Sequence, residues 1–295
     1  MTGTGVVVLG DVMTDVVVLA SGDLARGSDV AARIATRGGG SAANVAAWLA
    51  ADGHDVAFVG RVGTDAFGDA AVLELERAGV TVHVTRDSGV QTGTCVVIVD
   101  PGGERTMLPD AGANDRWRLG DLPIDDIRGG SHLHVSGYAL LREGSRDAAL
   151  AALAAAREAG MSTSIDASSS APLAALGPDR FLHWAKGADI GLANADEATA
   201  LTGEVDPQAA AEALTAHVGI AVVKLGADGA IAVDRDGGRW SVAAAPAPVL
   251  DTTGAGDAFA AGFLGSWSRG AALLEALEHG ARLAGRAVAR VGGRP

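Results

Sequence analysis

The chain has 295 residues, of which 48% are hydrophobic and 20% charged, a composition that is typical of folded proteins and excludes disorder as the main state. A formal net charge of −13 argues against nucleic acid or an anionic membrane surface as the principal partner. The single cysteine, Cys95, cannot form an intramolecular disulfide, and no apolar run is long enough to span a bilayer, so we expect a soluble cytoplasmic enzyme.

Short β-branched runs alternate with longer alanine-rich amphipathic runs, which predicts a mostly parallel sheet with helices on both faces. The predicted strands are Val6–Leu9, Val56–Val59, His132–Val135, Ser162–Ile165, Ile190–Leu192 and Ile220–Lys224. The predicted helices cover about 41–52, 66–78, 145–159, 179–186, 195–202, 207–217, 255–268 and 271–290. We therefore expect an α/β fold, a three-layer α/β/α sandwich formed by a single domain over residues 1–295.

Two stretches do not fit this alternation, at about 12–37 and 90–108. They contain the strand-like runs Val16–Leu19, Val30–Ile34, Thr94–Val99 and Arg105–Leu108, with a turn at Pro101–Gly103 between the last two. We expect these runs to form a small separate β-sheet attached to the main domain. Because an apolar sheet with an open edge tends to pair with another chain, a homodimer through this sheet is also predicted.

The most informative motif is Leu250–Phe259, with the sequence LDTTGAGDAF, which opens an apolar helix. Glycines in the turn Gly254–Gly256 let the backbone approach a ligand closely, and the N–H groups at the start of the helix suit a phosphate or a developing negative charge. Asp257 follows in the first helical turn, where its carboxylate can accept a proton from a hydroxyl. The segment therefore combines an anion site with a general base, as phosphoryl transfer to an alcohol requires.

Residues Asp251–Asp257 resemble the C-terminal signature of the ribokinase-like (PfkB) carbohydrate kinases. Three further stretches resemble motifs of the same family in the same order: GGGSAANVA from Gly38 with Val59–Gly68, Asn194–Glu197, and Lys224–Gly229. The resemblance covers nearly the whole chain. It implies a ribokinase-like fold in which the small sheet is a lid over the acceptor site, and an ATP-dependent sugar kinase that uses Mg²⁺.

The resemblance also assigns catalytic and metal-binding roles. Asp257 would be the general base, and the N–H groups of Ala255, Gly256 and Asp257, after the turn at Gly254, would form the anion hole. Asn194 and Glu197 would hold the magnesium of Mg·ATP through water, because Mg²⁺ gives up its waters reluctantly. A monovalent cation such as K⁺ would lie beside Asp251, Thr253 and the Arg290–Gly292 loop.

The same resemblance implies two groups of ligand-binding residues. Hydroxyls of the acceptor would be bound by Asp11, Asp15, Gly39, Gly40 and Asn44, since short carboxylate and amide side chains suit a polyol. The nucleotide would be bordered by Asn194, Lys224, Gly226 and Gly229.

The identity of the acceptor stays open at this stage. The lysine- or arginine-lined pocket that a phosphorylated sugar would need is hard to see near Asp11 and Asn44, which favours a neutral sugar of the ribose, fructose or keto-sugar type. A nucleoside such as pseudouridine, inosine or adenosine is the alternative, because Val12, Met13 and apolar lid residues could cover a base. A non-catalytic sugar- or nucleotide-binding regulator on the same scaffold is a third possibility.

A competing pattern in the glycine-rich stretch is G-x-G-x-x-A from Gly38 to Ala43, which occurs in dinucleotide-binding proteins. That pattern should directly follow the first strand of a βαβ unit, whereas here the segment before it has lid character. The chain also has no P-loop motif, so ATP would be bound without one.

Overall fold

The structure, a computed structural model, describes residues 5–100, 102 and 105–295. Its strands are β1 (Val6–Leu9), β2 (Met13–Ala20), β3 (Ala32–Gly39), β4 (Val56–Gly63), β5 (Thr81–Asp87), β6 (Gly93–Val99), β7 (Arg105–Asp110), β8 (His132–Ser136), β9 (Ser162–Asp166), β10 (Ile190–Asn194), β11 (Ile220–Lys224), β12 (Ala230–Asp234) and β13 (Arg239–Val242). Its helices are α1 (Ser41–Ala51), α2 (Ala66–Arg77), α3 (Ile124–Arg128), α4 (Gly137–Leu141), α5 (Glu143–Glu158), α6 (Ser170–Leu176), α7 (Pro178–Ala185), α8 (Ala195–Thr202), α9 (Pro207–Leu214), α10 (Ala255–Ser268) and α11 (Leu273–Val288).

The main sheet has the strand order β13-β12-β11-β10-β9-β8-β1-β4-β5. Its strands from β11 to β5 are parallel, and the β11–β12 and β12–β13 pairs are antiparallel. The carboxyl ends of the parallel strands consequently lie along one edge, which is where open α/β sheets bind their ligands.

Strand β1 shows why the chain forms three layers. Val7 and Leu9 pack into one hydrophobic core with residues of α5 to α9, whereas Val6 and Val8 pack into a second core with α1, α2, α10 and α11. Successive strand residues point to opposite faces, so an uninterrupted apolar run needs helices on both sides. The predicted α/β/α sandwich is confirmed.

The sequence did not predict every element of this sheet. Strand β5 is polar at every second position because it lies at the edge, and its pattern is weaker than that of the buried strands. Strands β12 and β13 extend the opposite edge after an antiparallel turn, outside the βαβ alternation.

The four strands β3, β2, β6 and β7 form the separate small sheet in that order, so the prediction of a small separate sheet is confirmed; this sheet is called the lid below. Its strands extend slightly beyond the expected limits, to Gly39 and Asp110, and the predicted turn at Pro101–Gly103 lies mostly outside the described residues. The inner face of the lid buries Met13, Cys95 and Val97. The outer face carries Val16, Val18, Val96 and Ile98, with Ile34 and Leu108 directly paired beside them.

Within the described part of the chain, no helix combines the length and apolar character that a membrane crossing requires.

Candidate active site

Helix α10 brings Asp257 to the carboxyl edge of the main sheet. The turn before it needs glycine at position 254, where φ is +74° and a Cβ atom would lie 2.5 Å from the Cα of Gly293. Asp257 lies in the first turn, with the amides of Ala255 and Gly256, at the positive end of the helix dipole. The Ala255 N–H also donates to the Thr252 carbonyl at 3.3 Å, and this hydrogen bond closes the turn that would form the expected anion hole.

The carboxylate of Asp257 is held from both sides by residues of α1. The Ser41 hydroxyl donates to Oδ1 and the Asn44 amide donates to Oδ2, each at 2.8 Å. Burial raises the pKa of Asp257 to about 7, although these two hydrogen bonds oppose the rise. A carboxyl group with this pKa is poised to exchange a proton near neutral pH, as a general base must.

Asp11 fixes the start of α1 beside this base. Its carboxylate accepts hydrogen bonds from the Ser41 N–H at 2.9 Å and from the Ser136 hydroxyl at 2.9 Å. Gly40 precedes the helix with a φ of +91°, and a Cβ there would lie 2.6 Å from the Asp11 carbonyl oxygen. Asp11 therefore positions the helix that carries Ser41 and Asn44, in addition to any contact with an acceptor.

Arg294 enters the same site from the far end of the sequence, a contact that motif analysis missed. Its Nε donates to Asn44 Oδ1 at 3.2 Å and its Nη2 donates to the Gly39 carbonyl at 2.7 Å. Arg294 also faces Asp15, whose pKa burial raises to about 6 while the guanidinium opposes the rise. The sequence did not indicate this arginine beside Asn44, because only folding brings residues 44 and 294 together.

A cavity of about 550 Å³ opens on the other side of the α10 N-terminus. Lys224, Gly226 and Gly229 line it, together with Ala255 and Gly256 of the anion-hole turn. The remaining walls are apolar and built mainly from small residues: Ala244, Ala245, Ala247, Phe259, Ala281 and Val288. The volume and the apolar lining suit a heterocyclic base and its ribose.

A buried cluster of charges links this cavity to Asp257. Lys224 Nζ lies 2.6 Å from Asp166 Oδ2, at the carboxyl ends of β11 and β9. Burial alone would lower the pKa of Lys224, but Asp166 and Glu197 raise it above its usual range. Asp166 is therefore the counter-ion of the lysine beside the anion hole.

Asn194 and Glu197 form a reciprocal cap at the start of α8. The Glu197 carboxylate accepts from the backbone N–H and from the side-chain amide of Asn194, both at 2.8 Å, and burial raises the pKa of Glu197 to about 7. Both Asp166 oxygens are likewise engaged, by Lys224 and by the Ser168 N–H. These oxygens are of the hard type that Mg²⁺ prefers, and because they already accept hydrogen bonds they fit a magnesium ion held through water.

Asp251 joins the two loops expected around a monovalent cation. Its Oδ1 accepts from the Thr253 N–H at 2.8 Å and its Oδ2 accepts from the Gly292 N–H at 3.0 Å. The structure therefore brings Asp251, Thr253 and the Arg290–Gly292 loop together, next to the anion-hole turn.

The glycine pattern from Gly38 to Ala43 joins lid strand β3 to α1 and does not follow a strand of the main sheet. This placement differs from the βαβ unit of dinucleotide-binding proteins.

Three features lie together at one edge of the main sheet: a general base at a helix N-terminus, an anion site, and a cavity large enough for a nucleobase. Together they define a phosphotransferase that acts on an alcohol group. Residues 4–295 match the family described as pfkB family carbohydrate kinase, and the chain belongs to this family.

Individual relatives agree with this assignment. The ATP-dependent ribose-1-phosphate kinase of Halopiger xanaduensis is 36% identical over 267 residues, which cover 86% of this chain and 82% of the relative. A probable sugar kinase from Rhizobium etli superposes with a TM-score of 0.91 at 26% identity, covering all of this chain and 96% of the other. Adenosine kinase from Sinorhizobium meliloti gives a TM-score of 0.89 at 27% identity and covers 99% and 95%.

Proposed function

We propose that this sugar kinase transfers the γ-phosphoryl group of ATP to a hydroxyl group of a small sugar, with Asp257 as the general base. The observation that carries the proposal is the position of Asp257, between Asn44 and Ser41 on one side and the anion-hole turn and the cavity on the other. A hydroxyl placed against the carboxylate would then face a phosphoryl group bound at the start of α10.

In this mechanism Asp257 accepts the hydroxyl proton as the oxygen attacks phosphorus. Ser41 and Asn44 hold the two carboxylate oxygens in place, so that the base does not turn away. The amides of the anion-hole turn and the ammonium group of Lys224 stabilise negative charge on the transferring group, because Lys224 Nζ lies beside Gly256. Asp11, Asp15, Gly39, Gly40 and Asn44 would bind the other hydroxyls of the acceptor.

Adenosine would occupy the apolar cavity beside Gly226 and Gly229, with the phosphates directed to Lys224. Asn194 and Glu197, with Asp166, would hold Mg²⁺ through water. When bound, Mg²⁺ neutralises charge on the phosphates. Titration of a catalytically inactive Asp257→Asn variant with ATP, with and without Mg²⁺, tests this assignment by affinity alone.

A nucleoside is the alternative acceptor, and the similarity to an adenosine kinase structure supports keeping it. The inner face of the lid offers apolar residues, among them Met13 and Val97, against which a base could pack. The two proposals are separated by ADP release measured over free sugars, sugar acids, sugar phosphates and nucleosides. ADP release with nucleosides alone would replace the sugar proposal. If none of the acceptors gives ADP release, both proposals are refuted and a non-catalytic sugar- or nucleotide-binding regulator is favoured.

K⁺ is proposed as an activator, held where Asp251 links Thr253 to the Arg290–Gly292 loop. A cation there would add positive charge beside the anion hole. Activity in K⁺ is expected to exceed activity in a large organic cation of equal ionic strength, and equal rates would remove the site.

A homodimer through the lid is proposed because its outer face is apolar. Ile34 is 65% exposed and Leu108 is 55% exposed in the single chain. Ile34→Glu should shift sedimentation from dimer to monomer, whereas Val205→Glu, at an exposed site elsewhere, should not. A monomeric unmodified protein at micromolar concentration would refute the dimer.

A further inference from the structure

Gly293 lies between two parts of the candidate active site. On one side, a Cβ atom at Gly293 would lie 2.6 Å from Asn44 Nδ2, the nitrogen that donates to Asp257. On the other side, a Cβ atom at Gly254 would lie 2.5 Å from the Gly293 Cα and 2.6 Å from its carbonyl oxygen. One buried glycine thus separates the residue that holds the carboxylate of Asp257 from the anion-hole turn.

The carbonyl group of this glycine is held by Trp48, whose indole Nε1 donates to it at 2.9 Å. Trp48 is fully buried and lies one helical turn after Asn44 on α1. The guanidinium carbons of Arg286 and Arg290 each lie 5.7 Å from the centroid of the Trp48 ring, so the indole is also packed against α11 and the residues after it. Trp48 therefore joins α1 to the segment Gly292–Arg294.

Both neighbours of Gly293 in the sequence make contacts with the site. The Gly292 N–H donates to Asp251 Oδ2 at 3.0 Å, and Arg294 Nε donates to Asn44 Oδ1 at 3.2 Å. A buried carbonyl group that loses its donor is costly, so the peptide would turn toward another donor or toward water. Because the three residues are consecutive, such a turn would displace both neighbouring contacts.

We propose that Trp48 is a positioning residue for phosphoryl transfer, because its indole N–H holds Gly293 at the place that sets the spacing between Asn44 and the turn at Gly254. This role rests on the proposed function, since it concerns the same reaction. The attacking oxygen and the phosphorus must be aligned at about 3–3.5 Å before transfer, and a misplacement of about 1 Å can lower the rate about 10²-fold. Trp48 acts through Gly293, and neither residue lines the cavity beside Lys224.

Trp48→Phe removes the donor and keeps an aromatic ring. We expect kcat to fall by about 10- to 100-fold. KM for ATP should stay close to that of the unmodified enzyme, because neither Trp48 nor Gly293 lines the cavity. Trp184→Phe is the matched control: Arg146 and Arg180 lie 4.3 and 5.5 Å from the Trp184 ring, but this tryptophan packs against the other hydrophobic core. Both kinetic constants should be unchanged in the control.

A smaller ring also leaves a cavity, so a second variant separates the lost donor from the lost volume. Replacement of Trp48 by benzothienylalanine, an analogue with sulfur in place of the indole N–H, keeps the size of the side chain. The same fall in kcat is expected, with Tm close to that of the unmodified enzyme.

Three results would overturn the positioning role: an unchanged kcat in the analogue-containing enzyme, an equal fall in Trp184→Phe, or a rise in KM for ATP that matches the fall in kcat. ADP release by the unmodified enzyme with none of the acceptors would instead overturn the proposed function, and the role of Trp48 with it.

Discussion

The side-chain amide of Asn44 donates to Asp257 Oδ2 over 2.8 Å, although the two residues are 213 positions apart in the sequence. The other end of the same amide accepts from Arg294 Nε. Reversing the amide would set its oxygen against the carboxylate and its NH₂ group against the guanidinium, so Arg294 fixes the orientation in which Asn44 serves Asp257. Asp257 is thus positioned by Asn44 directly and by Arg294 through Asn44.

Asp257→Asn is expected to lower kcat by about 10²- to 10⁴-fold, because the amide cannot accept the hydroxyl proton. Steady-state kinetics would measure this loss, and ATP affinity by calorimetry should be nearly unchanged. Turnover close to that of the unmodified enzyme would refute the role of Asp257 as the base.

The same substitution should stabilise the fold in a pH-dependent way. The folded-state pKa of Asp257 is about 7, above the ordinary 3.8. The free energy of unfolding of the unmodified protein should therefore fall as the pH rises from about 4 to 7. The Tm advantage of Asp257→Asn should therefore be larger at pH 8 than at pH 4. An advantage that is the same at both pH values would show that the carboxyl is not perturbed by folding.

The pH dependence of activity should follow the same carboxyl group. Since only the ionised form accepts a proton, kcat/KM should fall as pH drops below about 7. Ser41→Ala removes a hydrogen bond that lowers the pKa of Asp257, so the acidic limb should move to higher pH. Ser268→Ala, at the opposite end of α10, is the control, and its profile should coincide with that of the unmodified enzyme.

Gly254→Ala should abolish most activity and lower Tm. A left-handed conformation costs a residue with a Cβ about 1–2 kcal/mol, and here the new atom also meets the backbone of Gly293. Gly270→Ala is the matched control, with a φ of +85° after the same helix and no atom within 4 Å of the new Cβ. Both variants should lose stability, but activity should fall only in Gly254→Ala, and equal activity losses would argue against a specific role for the turn.

Lys224→Gln leaves Asp166 buried without its cation, which should cost about 3–5 kcal/mol of the free energy of unfolding. It should also raise KM for ATP and move the acidic limb of the pH profile upward, because Lys224 lowers the pKa of Asp257. Lys186→Gln changes the only other lysine, which is exposed, and should alter neither quantity. Unchanged ATP kinetics in Lys224→Gln would separate this lysine from the nucleotide site.

The layers of the fold could be predicted from the sequence because each buried strand carries its own pattern. The continuous apolar run Val6–Leu9 by itself predicts a strand that is covered on both faces, and the structure confirms this prediction. Strand β5 lies at the edge, where polar residues are tolerated, and its pattern is not distinctive.

The site was predictable only where its residues are close in sequence. Gly254 and Asp257 share one turn, and that turn alone indicates an anion site with a base. The ion pair of Lys224 with Asp166 and the contact of Arg294 with Asn44 join distant segments with no common motif, and they depend on strand order and on the path of the last residues. The arginine beside Asn44 could not be found from the sequence for this reason.

The contacts of Gly293 and Arg294 have a consequence for the order of folding. Gly293 accepts a hydrogen bond from the Trp48 indole and Arg294 docks on Asn44, so this segment is seated against the first long helix. The contact between Arg294 and Asn44 spans 250 positions, and closing so long a loop costs chain entropy before the contact is gained. During refolding, catalytic competence should therefore appear after the strands have paired, when this segment docks.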